Sequence, residues 1–184
     1  MLCRLWALLL LCWISPVSAG SVDDVGYRAL HDLYRAPWLD RTMEWITRLG
    51  DLRLQLTLCA GMAAYGRNYE RETARLQLVA FVCSGLIVST LKELTDRPQP
   101  EYPNSRDSFP SGHSAIAWAG ASLFGRRYPK YRWAYYITAS LVSLSRVYLG
   151  KHYPSDVLIG AIIGYGTAEL AWHYRERIWS LRIR

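Results

Sequence analysis

Cysteine is scarce in this chain, and none of it is arranged for chemistry. The 184 residues include four: Cys3 and Cys12 near the start, Cys59 and Cys83 in later apolar segments. That distribution supports neither a disulfide framework nor a metal site. Acidic residues are also few, 15 against 22 Lys and Arg, leaving a net charge of +7. Such an excess suits nucleic acid or anionic lipid. No Lys/Arg-rich stripe with interleaved aromatics is present, however, which sets nucleic acid aside. Internal repeats and low-complexity segments are missing as well.

What remains is hydrophobicity, and it is segregated. Hydrophobic residues make up 51% of the chain and charged residues 20%, yet the mean hydropathy is close to neutral because the charges gather in short blocks. The first twenty residues, MLCRLWALLLLCWISPVSAG, carry Arg4, an apolar core from Leu5 to Ile14, then Pro16 and the small residues Val17-Ser18-Ala19. This is the pattern of a secretory signal over residues 1–19, or of an uncleaved signal anchor. Either one starts the chain after Gly20 on the exported side. Residues 20–50 mix charges with Leu30, Leu33, Leu39 and Ile46, and predict one or two amphipathic helices at the membrane surface, anchored by Trp38 and Trp45.

Five apolar segments follow, at Leu52–Tyr65, Leu76–Leu91, Ser114–Phe124, Trp133–Leu149 and Val157–Trp172. They predict an all-α integral membrane bundle of about five spans. Arg67, Arg71 and Arg75 occupy one connection, Arg126, Arg127, Lys130 and Arg132 another, and Arg175, Arg177, Arg182 and Arg184 the tail. The positive-inside rule makes that side cytoplasmic. A count of spans from an exported Gly20 gives the same orientation. Residues 51–174 then form the membrane domain, and 175–184 a basic cytoplasmic tail. Gly160 and Gly164, four apart in the last span, predict close helix packing.

Three segments fall on the exported side: Lys92 to Pro100 at the end of one span, Pro110-Ser111-Gly112-His113 at the start of the next, and Ser145 to Asp156, SRVYLGKHYPSD, between the last two. Charges beside membrane segments are costly and mark a site or an edge. Taken singly, each has a plain structural role. Lys92 and Arg97 can snorkel to headgroups, Ser111 can cap a helix, and Asp156 suits a first helical turn. Together they are the set a phosphate ester requires. Cations and helix N–H groups neutralise phosphoryl oxygens, one imidazole attacks, another protonates the leaving oxygen, and a carboxylate orients the nucleophile.

The arrangement Pro110-Ser111-Gly112-His113, then Ser145-Arg146, five residues, His152, three residues and Asp156, resembles the type 2 phosphatidic acid phosphatase superfamily. Its motifs are KxxxxxxRP, PSGH and SRxxxxxHxxxD, and it includes membrane lipid phosphatases and soluble vanadium haloperoxidases. The second and third motifs match in full, over a resemblance running from about Leu76 to Leu170. The first departs: where Arg-Pro should stand the chain has Gln99-Pro100, while an Arg-Pro occurs two residues early at Arg97-Pro98. Either Arg97 reaches the phosphate from an offset position or the site works with one cation fewer.

The resemblance implies His152 as the nucleophile that forms a phosphohistidine, Asp156 as its orienting carboxylate and His113 as the group that protonates the leaving oxygen. It implies Lys92, Ser111, Gly112 and Arg146 as phosphate ligands, with Arg97 or Gln99 as the sixth. No metal or cofactor is expected, since cations do the neutralising that Mg²⁺ does elsewhere. The expected activity is hydrolysis of a membrane lipid phosphate or diphosphate at the exported face of a bacterial inner membrane. Substrates in view are undecaprenyl diphosphate, phosphatidylglycerophosphate, phosphatidic acid and a lipid A phosphate. The rivals are a lipid-binding or transport protein with a decayed site and a vanadate-dependent haloperoxidase. The oligomeric state is not legible.

Overall fold

The computed structural model describes residues 22–32 and 35–180; the expected leader at residues 1–19 lies outside them. Eight α-helices are present among the described residues: α1 Val22–His31, α2 Pro37–Arg48, α3 Leu52–Tyr65, α4 Asn68–Thr95, α5 Gly112–Arg127, α6 Arg132–Tyr148, α7 Pro154–His173 and α8 Arg175–Ser180. A 3₁₀ turn, Pro129–Tyr131, joins α5 to α6. The five expected apolar segments all fall in α3 to α7. On length and composition alone, only α4 among the described residues is long and apolar enough to cross a membrane. The number of crossings therefore stays an expectation.

Local chemistry sets the helix boundaries. The Asp51 carboxylate accepts from the Arg53 N–H at 2.7 Å and caps α3. Ser111 caps α5, and Pro154 opens α7 at a position where a missing N–H costs nothing. Gly150, at φ 69°, turns the chain out of α6. A side chain there would be strained and would also meet Glu101.

Helix α5 is the central post, packed by α4, α6 and α7. Its sequence, GHSAIAWAGASLFGRR, is rich in small residues, and α7 meets it with glycines. A Cβ on Gly160 would collide with the Ser111 carbonyl oxygen, and one on Gly164 with that of Ala115. In a bilayer, where lipid is as apolar as Leu, such backbone approach and interhelical hydrogen bonds replace the hydrophobic drive. Ser84 and Thr167 supply one such bond at 2.6 Å, and Ser114 and Ser143 another at 2.7 Å. The outer faces carry exposed Leu56, Leu86, Ile137, Leu141, Leu158 and Ile162, as lipid contact requires.

Gly164→Ala therefore lowers thermal stability in detergent, by about 1–3 kcal/mol as in other overpacked cores. Gly166→Ala, which meets nothing within 4 Å, leaves the melting temperature unchanged or slightly raised. A scan in which both variants melt together overturns the close-packing account.

Because α4 to α7 alternate in direction, Lys92, His113, Arg146 and His152 gather at one end and the Arg-rich connections at the other. The Arg-rich end has its own order. Arg127 is buried, donates to Thr73 Oγ1 at 2.8 Å and stacks on Tyr69 at 3.6 Å. The expected tail begins as α8, whose Ile178 and Trp179 pack against the core. At the opposite end, α1 and α2 lie against α6, and α1 also touches α7.

Candidate active site

The third motif is built by a turn between two helix ends. The buried His152, 2% exposed, sets Nδ1 2.7 Å from the Ser108 carbonyl oxygen. A carbonyl can only accept, so Nδ1 carries the proton and Nε2 keeps its lone pair. Burial pushes the pKa of His152 down and the charges of Arg146 and Lys92 act the same way, against the opposing pull of Asp156. The imidazole is therefore neutral in neutral solution, the form a nucleophile needs.

Asp156 reaches His152 indirectly. Its Oδ2 is 3.8 Å from His152 Nδ1, too far for a hydrogen bond. That oxygen instead accepts from Ser108 Oγ at 2.6 Å and from the Tyr153 N–H at 2.8 Å. Asp156 thus fixes the residue whose carbonyl fixes the histidine. Its own carbonyl accepts from the Ser111 N–H at 3.0 Å, tying the second motif to the third.

Arg97, expected as a phosphate ligand, is engaged elsewhere. It donates to Asp156 Oδ1 at 2.7 Å, to Ser155 Oγ at 2.8 Å and to Asp23 Oδ2 at 2.6 Å, and it stacks over Tyr153 at 4.2 Å. Burial opposes its charge, and Asp156 and Asp23 more than offset that, holding its pKa above the usual value. Two carboxylates claim it.

Lys92 and Gln99 meet at a different carboxylate. Lys92 Nζ donates to the Asp107 backbone carbonyl and lies 3.2 Å from its Oδ2, and Gln99 Nε2 donates to its Oδ1 at 2.7 Å. Burial alone would raise the Asp107 pKa. Hydrogen bonds from Ser105, Lys92 and Gln99 together with the Lys92 charge bring it to about 2.

Arg146 is the open donor. One of its terminal nitrogens donates to Thr47 Oγ1 at 3.1 Å, while its buried Nε has no partner among the described residues. A buried N–H of this kind is satisfied by an ordered water or by an anion. At the start of α5, Ser111 Oγ takes the Ser114 N–H, and the N–H groups of Gly112 and His113 belong to the first turn, where no intrahelical acceptor exists. His113 and Arg146 share a cavity of about 550 Å³.

The structure thus brings Lys92, Ser111, Gly112, His113, Arg146, His152 and Asp156 to one end of the bundle. It also recruits residues that no motif marks: Ser108, Asp107, Asp23 and Thr47. Ser108 lies just ahead of the second motif and was legible only as a neighbour. Asp23 and Thr47 come from the amphipathic segment, whose sequence carries no site signal.

A family model described as the PAP2 superfamily matches residues 73–180. Phosphatidylglycerophosphatase B of Bacillus subtilis is 32% identical, over 97% of this chain and 95% of its own length. An undecaprenyl-diphosphatase of Sulfolobus acidocaldarius is 47% identical over 86% of this chain and 85% of its own. The crystal structure of a transmembrane PAP2-type phosphatidylglycerolphosphate phosphatase from Bacillus subtilis superposes with a TM-score of 0.75 at 30% identity, covering 98% of this chain and 96% of that one. The chain belongs to the PAP2 superfamily.

Proposed function

We propose that this protein hydrolyses the phosphate ester or anhydride of a membrane lipid through a phosphohistidine at Nε2 of His152. It is a membrane-bound phosphoric ester hydrolase of lipid metabolism. The observation that carries the mechanism is the Ser108 carbonyl on His152 Nδ1, which leaves Nε2 free to attack.

Arg146, Lys92 and the first N–H groups of α5 hold the phosphoryl oxygens, and Nε2 forms a bond to phosphorus as the bond to the leaving oxygen breaks. His113 supplies the proton that oxygen takes. Water then attacks the phosphohistidine, His113 recovers a proton from it, and inorganic phosphate leaves with His152 restored. Asp156 and Arg97 act on this from behind, through Ser108 and the α7 start. Gln99 donates a hydrogen bond where the family carries a charge. Arginine and lysine do the neutralising, and turnover needs no metal.

The Arg-rich end lies opposite the site, so we place the site at the exported face of a bacterial inner membrane. We read residues 1–19 as a signal peptide or signal anchor, 20–50 as an amphipathic interfacial segment, 51–174 as the membrane phosphatase domain and 175–184 as a basic cytoplasmic tail. A lipid with its chain in the bilayer then presents its headgroup directly. Phosphate release by the purified, detergent-solubilised protein tests this, in EDTA, on undecaprenyl diphosphate, phosphatidylglycerophosphate, phosphatidic acid and lipid A. The expected result is release from at least one lipid at a rate EDTA does not change. Folded protein that releases phosphate from none, or only with added Mg²⁺, refutes it.

A further inference from the structure

The cavity that holds His113 and Arg146 is about 550 Å³, within the range of whole-ligand pockets rather than of one phosphoryl group. Its outer lining comes from α1, α2, the Glu101–Tyr102 stretch and Lys151. The charges there are committed unevenly. Asp40 accepts from Tyr148 and faces Arg35 at 3.4 Å. Glu101 accepts from Tyr27 and faces His31 at 3.3 Å, and Asp51 is taken up as the α3 cap.

Two cations in the same lining have no such partner. Arg48 lies over the Trp45 ring at 4.2 Å, and Lys151 Nζ over the Tyr102 ring at 3.5 Å. Neither forms an ion pair among the described residues; Glu44, one turn before Arg48 on α2, does not pair with it. Stacking on a ring positions a cation without neutralising it. Both positions neighbour site residues along the chain. Lys151 immediately precedes His152, and Arg48 follows Thr47, the hydrogen-bond partner of Arg146.

We infer that Arg48 and Lys151 form a second anion subsite, which takes the phosphoryl group on the leaving side of a diphosphate. This rests on the catalytic role proposed above and names the substrate class: a lipid diphosphate cleaved to the monophosphate and inorganic phosphate. The hydrolysed phosphoryl sits with Arg146 and His152, and the retained one with Arg48 and Lys151.

The test has two readouts on the full chain in detergent. For turnover, kcat/KM is measured on farnesyl diphosphate and on farnesyl monophosphate, in wild type and in the Arg48→Ala/Lys151→Ala double variant. The diphosphate-to-monophosphate ratio is expected to fall at least tenfold in the double variant, chiefly through KM. Arg48→Lys/Lys151→Arg keeps it within threefold. For binding, calorimetry with inorganic pyrophosphate and inorganic phosphate is expected to show a pyrophosphate preference in wild type that the double alanine variant loses. Equal losses on both substrates, an unchanged ratio, or no pyrophosphate preference in wild type overturns the subsite. A wild type that binds pyrophosphate preferentially yet hydrolyses neither lipid refutes the catalytic role and leaves the subsite standing.

Discussion

His152→Ala is expected to lose phosphate release by a factor on the order of 10⁴ or more, as removal of a nucleophile does elsewhere. His152 combines burial with a tautomer pinned by the Ser108 carbonyl and a lone pair left on Nε2. The alanine variant also strands the Ser108 carbonyl, whose histidine partner lies at 2.7 Å, at a cost of about 1–3 kcal/mol. Loss of activity alone could then be misread as loss of fold. His152→Asn separates the two, because its amide N–H can still donate to Ser108 while nothing remains to attack phosphorus. The asparagine variant should melt closer to wild type than the alanine variant and be equally inactive. Protein quenched in alkaline denaturant should show an acid-labile phosphoryl group in wild type alone. Wild-type turnover by either variant would falsify the mechanism.

Asp156→Ala is expected to act on stability as strongly as on rate. The carboxylate is fully buried and accepts three hydrogen bonds, from Arg97, Ser108 and Tyr153. Its removal leaves a part-buried guanidinium with Asp23 as its remaining counterion, and breaking such pairs costs about 3–5 kcal/mol. Thermal unfolding in detergent measures this. Asp156→Asn keeps the volume and one acceptor and should remain folded. A carboxylate directly on a catalytic imidazole is worth about 10⁴ in kcat. Asp156 works through Ser108 instead, with 3.8 Å between it and Nδ1, so the asparagine variant should fall short of that, by about a hundredfold. A rate equal to wild type, or as low as that of His152→Ala, would remove Asp156 from this role.

The helices of the body were legible because apolar runs and helix caps coincide there. Their lengths were less so. Helix α4 begins at Asn68, eight residues before the apolar segment at Leu76, since polar residues such as Glu70, Glu72 and Arg75 continue a helix as readily as they end a hydrophobic run. The third motif was legible because its residues sit at fixed spacings around one turn. Arg97 was not, because its role depends on Asp23, 74 residues away, and no local pattern reports such a pairing. The same is true of Thr47 on Arg146. Gln99 showed that a cation was missing at its position, and only the geometry shows it sharing Asp107 with Lys92.

The clasp of Asp23 on Arg97 and Ser155 joins groups as much as 132 residues apart, well over half of the 184-residue chain. Helix α1 thus takes part of its anchoring from α7, the last long helix among the described residues. Arg97 is made in between, with one carboxylate behind it and the other still to come. A chain cut short before α7 therefore keeps Asp23 and Arg97 but lacks Ser155 and Asp156, so the clasp stays incomplete.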